Sequence, residues 1–403
     1  MCRLFALIWI PIENYTTMRS IILYLTFALI LYLPSNLLSQ TRDTINGFYF
    51  ERDFVLPHTE VKNQGRTGTC WSFTGMSFVE SEMARMGKPF VDLSEMYIVR
   101  NVYLEKADRY VRMHGHLNFA QGGALPDPLV MMDKYGALPE WLYPGHIYDS
   151  KTRHHGELEA VLKGFLDGLI ANKSKRLSDK WKPAFRKIVD TYLGQVPDSF
   201  TYEGKVYTPQ QFAREIVGVR SEDYVQISST TRVPFYTSYV ILVPDNWMLH
   251  RAYNVPVEQL SAIVDHALQH GYSVAWAADV SEPYFSWKNA LAVLPPKPWE
   301  DLSKEERDSF FLKPRPEMQV TQALRDSHYD SYRTTDDHAM HIVGMAKDQN
   351  NRPYYLVKNS WDVHNPLRGY LYVTKAYLQL KTTALLLHKD ALSPELREKL
   401  GIH

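Results

Sequence analysis

Val61-Lys62-Asn63-Gln64-Gly65-Arg66-Thr67-Gly68-Thr69-Cys70-Trp71-Ser72-Phe73 is the stretch on which the reading of this chain turns. It closes a polar segment, residues 41–69, broken by Pro57, Gly65 and Gly68, the composition of an extended entry followed by a turn. From Cys70 the pattern becomes helical. Phe73, Met76 or Ser77, Val79, Glu80 and Met83 recur at three- and four-residue spacings, and Gly87-Lys88-Pro89 ends the run. Cys70 therefore falls at a helix N-terminus, where free backbone N–H groups and the helix dipole favour a thiolate over a thiol.

Only one other cysteine, Cys2, occurs among the 403 residues. Toward the amino end, Arg19 precedes an apolar run from Ile21 to Leu33 interrupted by Thr26 alone, and Pro34, Ser35, Asn36, Ser39 and Gln40 follow. A positive flank, a run of this length and small or polar residues at a cut point have the anatomy of a secretory signal peptide. The run is short of the about 20 apolar residues of a bilayer span. Residues 1–40 thus predict a cleaved leader and an exported chain, periplasmic or secreted, with an uncleaved membrane anchor as the alternative. Met18, just before Arg19, is read as the start of translation. No cysteine follows the run, which argues against a lipid anchor. Cys2 would leave with the leader, so the mature chain holds a single thiol and no internal disulfide. A lone cysteine is either core filling or a reactive group, and its place at a helix start favours the second.

Hydrophobic residues at 45% and charged residues at 22% describe a folded globular chain rather than a disordered one. Lys plus Arg balances Asp plus Glu at 45 each, so no net field draws nucleic acid or an anionic membrane. The basic run Lys173–Arg176 reads as a solvated helix end, and no nucleic-acid partner is expected. The many aromatics suit a large core, with a groove for extended peptide or an oligomer interface as a further use.

Beyond Gly87 a helix is predicted from Ser94 to about Met113, a loop at Gln121-Gly122-Gly123, and a helix around Pro128–Tyr135 ended by Gly136. Residues 157–218, amphipathic and rich in Lys and Glu, predict two or three helices. Val225–Leu242 has the β-branched and aromatic content of strands. Val257–His270 reads as a helix closed by Gly271, Ser273–Ala278 as a short strand, and 294–316 as a Pro-rich connector. Three strand-like runs, Ala339–Met345, Tyr354–Lys358 and Gly369–Val373, fill the tail. Helices in the first half and strands in the last quarter argue for α+β rather than alternating βαβ units.

A thiol hydrolase needs a thiolate, an imidazole to take its proton, a group that fixes the imidazole, and donors for the developing oxyanion. Gln64 lies six residues before Cys70 across a glycine-containing turn, which can bring its amide beside the sulfur; the Cys70 N–H is the second donor. Taken alone, Gln64 is more often a surface glutamine. His338 opens a strand-like run, and by itself it is one histidine of 15. His341 would point to the opposite face of that strand, and no carboxylate or cysteine cluster has ligand spacing, so no metal is expected. Asn359, at the end of an apolar strand, can accept the His338 ring N–H through its amide oxygen. Trp361 can roof that bond and keep water out, or simply pack the core.

Together Val61-Lys62-Asn63-Gln64-Gly65, Cys70-Trp71-Ser72-Phe73, His338-Ala339-Met340 and Lys358-Asn359-Ser360-Trp361 resemble, in order, the active-site blocks of papain-like cysteine peptidases. Leu93-Ser94-Glu95 and Gly122-Gly123 add family-like segments. The resemblance implies a papain-like fold, a Cys70-His338-Asn359 triad, Gln64 at the oxyanion, backbone contacts to substrate from Gly122 and Gly123, and no metal or organic cofactor.

Two departures place the chain within that family. Thr67-Gly68-Thr69-Cys70-Trp71 lacks the earlier cysteine usually found in this block, and Asp362 stands where a glycine usually follows the tryptophan. His338 lies 268 positions after Cys70, against about 130–150 in cathepsin-like members, so an insertion is expected, largely in the helical stretch 157–218. These features are similar to the bleomycin hydrolase and aminopeptidase C branch. The branch implies peptide substrates, a homo-oligomer (typically a hexamer), and a C-terminal arm, here Leu396–His403, whose terminal carboxylate at His403 would pair with a substrate ammonium and enforce aminopeptidase cleavage. The expected organisation is a leader at 1–40, a helical half at 41–156, a mostly helical insertion with strands at 157–254, and a β-rich half with the arm at 255–403. An endopeptidase is the alternative if the arm misses the groove, and a catalytically silent peptide-binding or assembly protein is the alternative outside enzymes.

Overall fold

Alternation of small and large side chains along neighbouring strands sets the architecture. In the strand Val274–Ala278, Ala275 and Ala277 face one core while Val274, Trp276 and Ala278 face the other. Ala384 and Leu386 against Leu385 and Leu387 repeat the pattern in the strand Thr382–His388, and Ala339 against Met340 in the strand His338–Lys347. This is the two-residue period of a strand buried on both faces. The alanine side lets a helix approach closely, and the helix Cys70–Arg85 packs there, burying Phe73, Met76, Phe78, Val79 and Met83. The large side carries the helix Val257–Gln269, whose Leu260, Ile263, Val264 and Ala267 enter the second core.

The computed structural model describes residues 42–145, 152–174 and 176–402. The leader read at 1–40 and the terminal His403 lie outside the described residues. Twelve strands form one mixed sheet. Its centre runs Tyr224–Ser228, Thr382–His388, Val274–Ala278, His338–Lys347, Pro353–Lys358 and Tyr370–Thr374, all neighbouring pairs antiparallel. The strand His338–Lys347 is central because it serves two partners on one edge. His338 pairs with Ala278, and further along the strand Gly344 pairs with Val55. In the other half the helices Glu95–Arg112 and Asp127–Tyr135 pack on the Cys70 helix, and Gly156–Ile170 and Trp181–Leu193 pack on Glu95–Arg112 in turn. The fold is α+β and papain-like.

Several expectations needed correction. Residues 42–55 are not merely an extended entry: Arg42–Ile45 and Phe48–Val55 form a hairpin that buries Phe48 and Phe50 and joins the sheet. The stretch 157–218 holds a small hairpin, Phe200–Tyr202 with Lys205–Tyr207, besides its helices. The helices Gln322–Asp330, Lys375–Lys381 and Pro394–Leu400 and the strand Thr382–His388 had no counterpart in the sequence reading. Ser94 is the N-cap of its helix rather than its first residue, accepting from Tyr97 N at 3.0 Å. Among the described residues no helix is long and apolar enough to cross a membrane.

Candidate active site

The segment before Cys70 is stitched to the loop after strand Pro353–Lys358. Gln64 N donates to Ser360 O at 2.9 Å, and Asn63 bridges to Trp361. The Gln64 side chain is buried and fixed at both ends. Its Oε1 accepts from Ser360 Oγ at 2.6 Å, and its Nε2 donates to Thr67 O at 2.7 Å. A primary amide carries two N–H groups, so one Nε2 proton remains after the Thr67 bond.

Cys70 is the first residue of its helix, and no side chain caps that end. Its sulfur lines a cleft together with His338, Gly123, Ala339, Asp245 and Asp336. Burial pushes the thiol up to about 12. Backbone N–H groups of Ala339 and Trp71 draw it back down, and the carboxylates of Asp336 and Asp245 push it further up.

His338 starts its strand at the cleft. Its Nε2 lies 2.7 Å from Asn359 Oδ1. The orientation of that amide follows from a second contact, since Ser360 N sits 2.7 Å from the same atom and can only donate. The atom is therefore the oxygen, His338 Nε2 carries the proton, and Nδ1 is left with a free lone pair. Burial pushes His338 down to about 4, and the Asn359 bond works against that shift. Trp361 covers the ring with centroids 4.4 Å apart at 31°, and Trp287 and Phe285 meet Trp361 edge-on. His341, three residues on, faces the helical half, bonds Ser77 Oγ at 2.9 Å and shares no ligand site with His338.

Asp362 adopts φ +68, the left-handed conformation that a glycine takes at no cost. Its carboxylate compensates by accepting from Asn63 Nδ2 at 3.0 Å and from Val363 N at 2.7 Å, which explains how an aspartate holds this turn.

The two glycines separate. Gly123 borders the cleft, and a Cβ there would meet the Trp71 ring at 2.7 Å. Gly122 is covered, since a Cβ on it would fall 1.9 Å from Asp245 Oδ2. Their loop is held from beneath by Lys106 Nζ, which donates to Ala120 O at 2.9 Å and to Gly122 O. The tail does not reach the cleft among the described residues. The helix Pro394–Leu400 turns Leu396 and Leu400 into the core beside the helix Val257–Gln269, Ile402 follows them, and the cleft lining ends at Ala384. Two apolar residues four apart on a helix need a core, and that holds the tail elsewhere.

Asp245 and Asp336 were not singled out from sequence. Asp336 stands two residues before His338 and outside its strand, so its nearness in the chain was the one available signal. Asp245 lies 175 residues from Cys70 and carries no local pattern.

The family model for the Peptidase C1-like family matches residues 37–402. Aminopeptidase C of Streptococcus thermophilus is 23% identical over 394 residues, covering 87% of this chain and 84% of that protein. Aminopeptidase G of Lactobacillus delbrueckii subsp. lactis is 23% identical over 387 residues, covering 86% and 84%. The crystal structure of PepW from Lactobacillus rhamnosis HN001 superposes with a TM-score of 0.68 at 18% identity, over 98% of this chain and 95% of that one. With the fold and the ordered motifs in agreement over that span, the chain belongs to the Peptidase C1-like family, as a papain-like cysteine peptidase of the aminopeptidase C and bleomycin hydrolase branch.

Proposed function

We propose that the chain is a cysteine aminopeptidase in which Cys70 attacks the first peptide carbonyl, His338 moves the proton and Asn359 orients the histidine. The observation that carries this reading is the His338–Asn359 bond of 2.7 Å, which leaves the free His338 nitrogen in a cleft shared with Cys70. Burial pushes the thiol up and the imidazole down, so it works against charge on either group. The thiol proton passes to His338 Nδ1 as the C–S bond forms, which leaves the net charge of the cleft unchanged. Gln64 Nε2 and the Cys70 N–H receive the oxyanion. Collapse breaks the C–N bond, and His338 gives its proton to the leaving amine. Water then attacks the thioester, one of its protons returns through His338 to sulfur, and the amino acid leaves as its carboxylate with the other proton lost to solvent.

The names of the relatives favour the amino-end restriction, and the tail's position favours a second reading, an endopeptidase. Fluorogenic substrates with free and acetylated amino ends separate them, with Cys70→Ala as control. Cys70-dependent turnover of free-ended substrates alone supports the aminopeptidase, and equal turnover of both supports the endopeptidase. Loss of neither activity in Cys70→Ala would remove the peptidase assignment of this cysteine. Export through residues 1–40 and assembly as a homo-oligomer belong to the same proposal. The amino-terminal residue of the recovered protein tests the first, and its mass in solution tests the second.

A further inference from the structure

We infer that Asp336 and Asp245 form the site that receives the free α-ammonium of the substrate, with Asp245 closing the cleft over Gly122 so that the substrate chain must end there. This rests on the aminopeptidase reading and supplies it with a specificity device drawn from the chain's own loops rather than from its tail.

Both carboxylates border the same cleft as Cys70 and His338. Asp336 lies deep among protein atoms while its remaining exposure opens on the cleft. No Lys, Arg or His among the described residues pairs with it, and its hydrogen bond from Thr383 Oγ1 is long, at 3.4 Å. A buried carboxylate without a counter-ion is costly to hold, and a cation delivered into the cleft would relieve it. The other charges around the pair leave that excess negative. Asp337 adjoins Asp336, Asp127 and Glu159 lie toward Asp245, and Lys106, which acts on Asp245, spends its protons on the carbonyls of Ala120 and Gly122.

Asp245 is held where it is. Asn118 Nδ2 donates to its Oδ1 at 2.9 Å. The turn that carries it is closed by Asn246, whose Nδ2 donates to Ile241 O and His250 O at 2.9 Å, with His250 N returning a bond to Asn246 Oδ1 at 2.8 Å. Trp247 Nε1 and His250 Nε2 then clamp the turn to Asp127 at 2.6 and 2.8 Å. The Asp245 carboxylate therefore lies on the α-carbon of Gly122 as a fixed wall. A substrate residue running back along Gly122 would meet a carboxylate, whereas a terminal ammonium would meet two acceptors. An acetylated end brings an added group and no charge, and loses on both counts.

The test is calorimetric titration of leucinamide and acetyl-leucinamide into the full chain carrying Cys70→Ala, which needs no turnover, together with kinetics on free-ended and acetylated substrates in the Cys70 background. Leucinamide should bind, and acetyl-leucinamide should bind at least about 30-fold more weakly, the order expected for a charged hydrogen-bonded contact. Asp336→Asn and, separately, Asp245→Asn should each weaken leucinamide by about that factor and narrow the preference for free-ended substrates. Asp245→Asn lies on the surface loop and guards against misfolding of Asp336→Asn. Equal binding of the two ligands, or an undiminished preference in both variants with native melting curves, overturns the assignment and places recognition elsewhere. Absence of Cys70-dependent turnover with leucinamide binding intact would instead count against the peptidase reading alone.

Discussion

His338 donates through Nε2 to Asn359 Oδ1 at 2.7 Å while the Trp361 ring lies across it, centroids 4.4 Å apart. The bond fixes the tautomer and the stacking fixes the tilt, so the nitrogen facing the cleft is a proton acceptor in one orientation. Asn359→Ala removes the first restraint and keeps the second. Because a misplacement of about 1 Å can cost ~100-fold in rate, kcat should fall by roughly that factor, with KM within about twofold. Steady-state kinetics on a free-ended fluorogenic peptide checks this. A fall of less than about threefold would mean that Trp361 alone positions the ring.

Asp336 makes the acid limb of activity informative. Burial, then the neighbouring Asp245 and Asp337, push its carboxyl up to about 7. Only the ionised form holds an ammonium, so as pH falls through about 7 the site empties of charge and KM for free-ended substrates should rise, with kcat changing less. Asp336→Asn should flatten that limb. The profile of KM against pH from 5 to 8 in both proteins decides it, and an acid limb carried entirely by kcat would contradict the argument.

The same shift has a stability side. A carboxyl with a raised folded-state pKa binds more protons folded than unfolded, so its contribution to stability falls as pH rises from the ordinary range near 4 through about 7. The penalty is complete above 7 and absent below 4. Asp336→Asn should therefore melt a few degrees higher than the parent at pH 8, the gap closing toward pH 4. Melting curves at the two pH values test the sign, and a variant less stable at pH 8 would mean that the carboxylate has a native partner.

Burial pushes the Cys70 thiol up, and the negative charges of Asp336 and Asp245 add to that shift. Removing either negative charge favours the thiolate, the form that alkylates. Alkylation of Cys70 by iodoacetamide, a neutral reagent, should accelerate in Asp336→Asn at pH 7.5. A slower reaction in the variant would show that Asp336 supports the nucleophile through the histidine instead.

What the sequence disclosed follows from how local each signal is. The Cys70 helix was readable because its apolar spacing and its Gly87 stop lie within one segment, and the strands Tyr354–Lys358 and Gly369–Val373 because they are apolar runs of strand length. Family resemblance, rather than periodicity, joined His338 to Cys70. Thr382–His388 escaped because Thr-Thr-Ala-Leu-Leu-Leu-His, buried on both faces, has no alternation of polar with apolar residues to distinguish strand from helix. Phe48 and Phe50 sit in a polar-looking segment, and only pairing of Phe48–Val55 with His338–Lys347 makes its alternation a buried face. In the tail, Leu396 and Leu400 are one turn apart and Ser393 caps their helix, a local signal for a packed helix, while His403, which the arm reading needs, lies outside the described residues. Asp245 depends on a loop that Trp247 and His250 clamp to Asp127 from 120 and 123 positions away, and such a contact has no trace in one sequence.

Beneath the site a buried polar network joins the two halves. Lys358 Nζ donates to Ser77 Oγ at 2.8 Å and to Thr59 Oγ1 at 3.0 Å, and Thr59 Oγ1 donates in turn to Glu80 Oε2. Glu80 Oε1 accepts from Leu93 N at 2.8 Å, and Lys62 pairs with Glu95 at 2.6 Å alongside. Burial drives Lys358 down and Glu80 up; attraction to Glu80 opposes the first shift, and attraction to Lys62 opposes the second. Lys358→Met keeps the stem volume and removes the cation, so Glu80 is left in a dry setting with less compensation. Breaking such a set by deleting one partner costs about 3–5 kcal/mol, and urea midpoints should show a loss of that order. Adding Glu80→Gln to Lys358→Met should recover much of it, since the second change removes the orphaned charge. If the single variant loses less than about 1 kcal/mol, Glu80 is already protonated in the folded protein and the halves are joined by neutral hydrogen bonds rather than by charge.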